Sequence, residues 1–173
     1  MKPRDYLQCL ELITLRDDLS PSELHPALTT EVLTIERELG AELPEAYEEF
    51  LTEVGCGCEF GGVAWWYHLD ITRPGNLLEV NQHLVREQAQ AMRQIGRSPT
   101  EFPTGFLAVY DPCDGEVFGF QLNGGGRYAP AVWAWDTEEF ELREVAPDMC
   151  HFLDYLLEGE NVEAIERARI FSL

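Results

Sequence analysis

Lysine is nearly missing from this chain: Lys2 stands alone beside eleven arginines, and these twelve bases face thirty-two Asp and Glu in 173 residues. The formal charge of −20 repels nucleic-acid phosphates and anionic membranes, and no lysine patch exists to bind either. No apolar run approaches the roughly 18 residues that would suggest a membrane span. The opening Met1-Lys2-Pro3-Arg4-Asp5 leads into an amphipathic stretch with Gln8 and Glu11. That is unlike the apolar heart of a secretory signal, so the expected address is the cytoplasm. Serine is scarce: Ser20, Ser22, Ser98 and Ser172 are all there is, and none sits in a nucleophile elbow. Cysteine is odd in number (Cys9, Cys56, Cys58, Cys113, Cys150), which argues for reduced thiols and against a disulfide framework. Internal repeats, low-complexity tracts and linkers are absent.

What is present is enough for one core. A 45% hydrophobic content with 11% aromatics suits a globular domain, and the length suits a single one over 1–173. Tyr6, Leu10 and Ile13 recur at helical spacing, which predicts a helix over 3–17. Ser20-Pro21-Ser22-Glu23 reads as a capping box, cut short by Pro26. Val32, Ile35 and Leu39 predict a helix over 30–40 that stops at Gly40. Pro44 opens another, with Tyr47, Phe50, Leu51 and Val54 as its apolar stripe and Gly55 as its end. After the glycine-rich link Gly55–Gly62, Val63–Leu69 reads as an aromatic strand. Leu78, Val85, Ala89 and Met92 predict a helix from Leu77 to Ile95. Phe106–Tyr110, Val117–Leu122, Ala131–Trp135 and Phe140–Val145 then read as an antiparallel meander, with one face buried and the other partly wet. Met149, Phe152, Leu153, Leu156 and Leu157 mark a closing helix, and a last one is expected over 161–171. Helices at both ends of a meander give an α+β domain, with helices packed around a mostly antiparallel sheet.

The run Ile35-Glu36-Arg37-Glu38-Leu39-Gly40-Ala41-Glu42-Leu43-Pro44-Glu45-Ala46-Tyr47-Glu48-Glu49-Phe50-Leu51 resembles the opening of the SUKH superfamily. That pattern is a Glu-rich helix, Leu-Gly, a short link, Leu-Pro, then a Tyr-x-x-Phe-Leu helix ending near glycine. The segments Gly115–Gln121, Pro130–Asp136 and Phe152–Leu157 are similar to its later elements, so the resemblance covers roughly 28–158. It departs where Glu116 and Gln121 replace the usual aspartates of the central strand. Membership implies an α+β fold. Its commonest bacterial role is immunity, the neutralising of a toxin, often a nucleic-acid-attacking enzyme, by direct binding. The fungal cell-wall-assembly-regulator branch implies an alternative role as a regulatory module.

Other chemistry finds little footing. Gly55-Cys56-Gly57-Cys58-Glu59-Phe60-Gly61-Gly62 has a helix before it and a strand after it, the reverse of a dinucleotide loop. Cys56 and Cys58 are too closely spaced for a zinc knuckle, and Cys113, Cys150 and His151 lie on separate elements. His68 with Asp70, or His151 with Asp154, could form a metal-dependent hydrolytic pair, but neither has a nucleophile nearby. No catalytic, cofactor-binding or metal-binding residue is therefore expected. The expected partner is a basic protein, with neither nucleic acid nor membrane as a ligand. Rings flanked by acids suit such an interface, so the expected binding residues are Trp65, Tyr67, Asp70, Trp133, Trp135, Asp136, Glu138, Glu139 and Glu141. The glutamates of the Pro44 helix would add to the same field.

Overall fold

The computed structural model describes residues 25–57, 59–60, 64–112 and 115–155, and for 59–60 and 64–66 the backbone alone. The expected helices over 3–17 and 161–171, the Ser20–Glu23 capping box, and Cys9, Cys58 and Cys113 lie outside the described residues. Among those residues, no helix is long and apolar enough to cross a membrane.

Helix α1 (Thr29–Leu39) begins where the Glu31 carboxylate accepts the Leu28 N–H at 2.7 Å, and it buries Val32 and Ile35. Gly40 ends it in the left-handed region at φ 67°, which glycine adopts without a Cβ penalty. A short link leads through Pro44 into α2 (Glu45–Glu53), whose Tyr47, Phe50 and Leu51 are buried. The Leu-Gly and Leu-Pro pattern thus marks two helix boundaries. Helix α3 (Leu77–Gln94) starts at Asn76, whose side-chain oxygen accepts the N–H groups of Leu78 and Glu79. Its expected stripe needs one correction. Val85 is 45% exposed, and Gln88 is buried in its stead.

Among the described residues the sheet has six antiparallel strands in chain order: β1 (Glu59–Phe60), β2 (Ala64–Trp66), β3 (Phe106–Asp111), β4 (Glu116–Leu122), β5 (Tyr128–Asp136) and β6 (Glu141–Ala146). The last four form the expected meander. Of the strand expected over Val63–Leu69, Val63 lies outside the described residues, 67–69 are not strand, and Ala64–Trp66 is strand and pairs β3 at Tyr110 and Asp111. Beyond that point a side chain completes the edge. Asn81 of α3 accepts the Ala108 N–H and donates to the Ala108 carbonyl, each at 2.8 Å. Phe140 is also displaced from the expected β6. It lies in the preceding turn at φ 57°, a left-handed conformation uncommon for a side chain of this bulk.

The expectation of one buried and one partly wet face holds at β6, where Glu141, Arg143 and Glu144 are exposed, but is corrected at β3 and β4, where both faces are covered. On one face the register aligns Tyr110, Phe118 and Ala134, with Phe120 and Val132 beside them. Tyr47 of α2 meets Phe120 there at 5.1 Å between ring centroids, and Phe152 of helix α4, over 149–155, meets Phe118 at 5.1 Å. On the other face Trp135 packs edge-on against Phe102 and Phe140 and donates its Nε1–H to Gln88 of α3 at 3.0 Å. Covering both faces makes β3 and β4 read as continuous apolar runs without alternation. The described residues form a single α+β domain with its core on both sides of one sheet.

Candidate protein-binding surface

The β4–β5 hairpin has acids at each end, in different states. At one end Asp136 closes β5, paired across the sheet with Glu116 and Glu141. Its carboxylate folds over the following turn and accepts the N–H groups of Glu138 and Glu139 at 2.9 and 2.8 Å. Those two bonds, the one from Glu139 foremost, hold the Asp136 carboxyl below its usual range. Thr137 donates its backbone N–H and its hydroxyl to the Gly115 carbonyl, tying this turn to the preceding hairpin. Arg97 donates to the Glu139 carbonyl at 2.6 Å and lies 5.4 Å over the Phe140 ring. Arg143 grips both oxygens of Glu116. The backbone of the turn is thereby held from three sides. The carboxylates of Glu138, Glu139 and Glu141 point into solvent, and among the described residues they have no hydrogen bond or ion pair.

At the other end, the link between α1 and α2 pairs with the hairpin's tip. Glu42 donates its N–H to the Gly126 carbonyl and accepts the Tyr128 N–H. Its carboxylate bonds Arg127, with the Nε contact at 2.8 Å. Glu36 accepts the Leu43 N–H at 2.8 Å. These acids hold the fold together locally. Crowding follows: burial, and then the charges of Glu36, Glu42 and Glu45, push the Glu48 carboxyl up, with Arg127 only partly offsetting them.

The nine expected binding residues divide. Asp136, Glu138, Glu139 and Glu141 come together at the turn end. Trp135 and Tyr67 are corrected to core residues, being 1% and 7% exposed, because helices cover both sheet faces. Trp133 is half-buried against the same core. The Trp65 backbone pairs with Glu59 and Asp111, which places it near the acidic turn. Asp70 lies elsewhere, since β2 runs away from that end and Tyr67 already donates to Val109. Thr72 binds the Asp70 carboxylate through hydroxyl and N–H, at 2.7 and 2.9 Å.

Sequence reasoning missed Glu116 and Asp111 at this surface. Their place beside the Asp111–Gly115 turn was the available signal. Among the described residues no cluster of three His, Cys, Asp or Glu could hold a metal ion. His151 pairs with Asp148 at 2.7 Å as part of a helix start, while the ring of His68 packs against Gly57.

A comparison with known families covers the link and the hairpin that carry these acids. A family model described as SMI1 / KNR4 family (SUKH-1) matches residues 26–155. The chain belongs to that family. No curated protein matches its sequence. The SUKH-1 match runs from the lead-in of α1 to the described end of α4, so both acidic ends lie inside it. Its N-terminal signature has a structural meaning here. Leu-Gly and Leu-Pro bracket the link that docks on the hairpin tip, through Glu42, Gly126 and Tyr128.

Proposed function

We propose that this SUKH-1 protein is a non-catalytic binding domain of the cytoplasm that neutralises a cognate toxin by covering its basic surface. The observation that carries the reading is the pinned turn at Asp136–Glu141, which projects three uncommitted carboxylates from a fixed backbone. Such an arrangement loses little conformational freedom on binding, because its main chain is already ordered. The charge of −20 adds long-range attraction for a cationic partner, which acts mainly on the association rate. Where the toxin attacks nucleic acid, its substrate site is itself cationic. An acidic cover on that site would exclude the substrate by occupying it.

The test is to purify the chain with the product of the neighbouring gene and to assay that product's activity with and without it. Stoichiometric binding that abolishes toxicity supports the reading. A partner that binds without being inhibited points to the regulatory role of the cell-wall-assembly-regulator branch, and the immunity reading then fails.

A further inference from the structure

The glycines after α2 have a steric purpose. A Cβ on Gly55 would lie 2.9 Å from the backbone carbon of His25, and one on Gly57 would lie 1.9 Å from His68 Nδ1. Both have positive φ, 130° and 75°. The link is thus clasped between two histidines. On one side Cys56 donates its N–H to the His25 carbonyl at 3.1 Å, a single β-bridge to the lead-in of α1. On the other side the His68 imidazole lies on Gly57, while the His68 backbone bridges to Asn76 and accepts the Leu77 N–H at 2.8 Å, at the start of α3. The exit of α2 and the start of α3 therefore meet at His68, and the lead-in of α1 joins them through Cys56.

The charged and titratable groups around this ring are unevenly matched. His25 faces it from the lead-in, and Arg73 and Asp70 from the loop after β2. Cys56 stands on the link itself, with Glu31 of α1 and Arg73 in its field. Among the described residues Asp70 is the anion acting directly on His68, and its carboxylate is already bonded to Thr72 and lies 3.5 Å from Arg73. A proton on His68 would add positive charge beside the Arg73 guanidinium, on a ring whose Gly57 side is closely packed.

We propose that this clasp is a proton-operated latch: protonation of His68 lifts its ring from Gly57 and loosens the junction of the α1 lead-in, the 55–57 link and the start of α3. Burial first, then Arg73 and His25, hold the His68 pKa below that of a free imidazole, with Asp70 opposing. The open form therefore takes the proton more readily. The latch is fully closed above the free imidazole's pKa of about 6.5, and its hold is lost as pH falls from there through the depressed value.

Amide-exchange protection factors on the full chain, from pH 7.5 to 5, test this at Ala27, Cys56 and Leu77, with Phe120 as the sheet control. In the wild type, protection at the three junction amides should fall as pH drops, by at most about tenfold per pH unit, the limit for one proton. Phe120 should not follow them. His68→Asn should flatten the response, and Arg73→Gln should shrink it by bringing the two pKa values together. The same fall in His68→Asn as in the wild type, or no fall in the wild type, overturns the latch. Should His68→Asn fail to fold, Arg73→Gln decides, and an undiminished fall in that variant overturns the proposal.

Discussion

The two ends of the β4–β5 hairpin carry the same sign of charge and put it to opposite uses. At the link end, Glu36 and Glu42 satisfy backbone N–H groups and Arg127, and Glu48 is left crowded among like charges. At the turn end, Asp136 and Arg97 fix the backbone, and Glu138, Glu139 and Glu141 are left outward. Formal charge alone does not locate a binding surface. What separates the two ends is whether each carboxylate is already engaged by its own fold.

The largest expected effect falls on binding. Reversing Glu138, Glu139 and Glu141 to Arg should slow association with a basic partner by about 10–100-fold at low salt, the scale of electrostatic steering. Reversing Glu45, Glu49 and Glu53 should slow it by less than about threefold, because that charge is diffuse and distant from the turn. Surface interferometry at two ionic strengths would read both, and equal effects would erase the distinction between the ends.

Next comes the core under the link end. The Tyr47 hydroxyl is fully buried and has no hydrogen-bond partner among the described residues, and burial pushes its pKa far up. An unsatisfied buried hydroxyl costs about 1–3 kcal/mol, so Tyr47→Phe should be neutral or stabilising by about 1 kcal/mol in urea denaturation. A loss of stability would mean that the hydroxyl does have a partner. By contrast, Phe120→Ala, which opens a cavity against the same ring, should destabilise by about 3–5 kcal/mol.

The smallest effects are in pH dependence, and the two ends should differ in sign. The Asp136 pKa is lowered on folding, so its contribution is present above the unfolded carboxyl pKa and is lost as pH falls through the folded value. The Glu48 pKa is raised, so its ionised form is a burden above the folded value and the burden lifts on acidification. Glu48→Gln should therefore stabilise slightly at pH 7, within about 0.5 kcal/mol, and give no gain below the carboxylate range. Asp136→Asn should lower stability at pH 7 and flatten its acid loss. Thermal melts across pH 3–7 would show both, and matching signs would contradict the contrast.

Much of the architecture was legible, for identifiable reasons. The Tyr47, Phe50, Leu51 stripe and the glycine and proline boundaries determine α1 and α2 by period and backbone restriction alone. The meander was readable from turn residues between apolar runs. The covering of both sheet faces was not. Trp133 and Trp135 share a face in any strand, and only tertiary packing decides whether α3 lies over it. Gln88 is polar, so its burial under Trp135 leaves no periodic signal. Phe140 reads as a strand residue, yet the Asp136 turn and the Arg97 contact hold it in a left-handed turn. The acids of the Asp136 turn were visible as a charge run. The burial of Tyr67 and Trp135 was not visible, since it depends on helices distant in sequence.

The most direct measurement is the association rate of the purified chain with the neighbouring gene's product, for wild type and the triple Arg variant at Glu138, Glu139 and Glu141. A steep fall in the wild-type rate with rising salt, reduced or reversed in the variant, is the predicted result. A rate indifferent to both salt and the three substitutions would contradict the account.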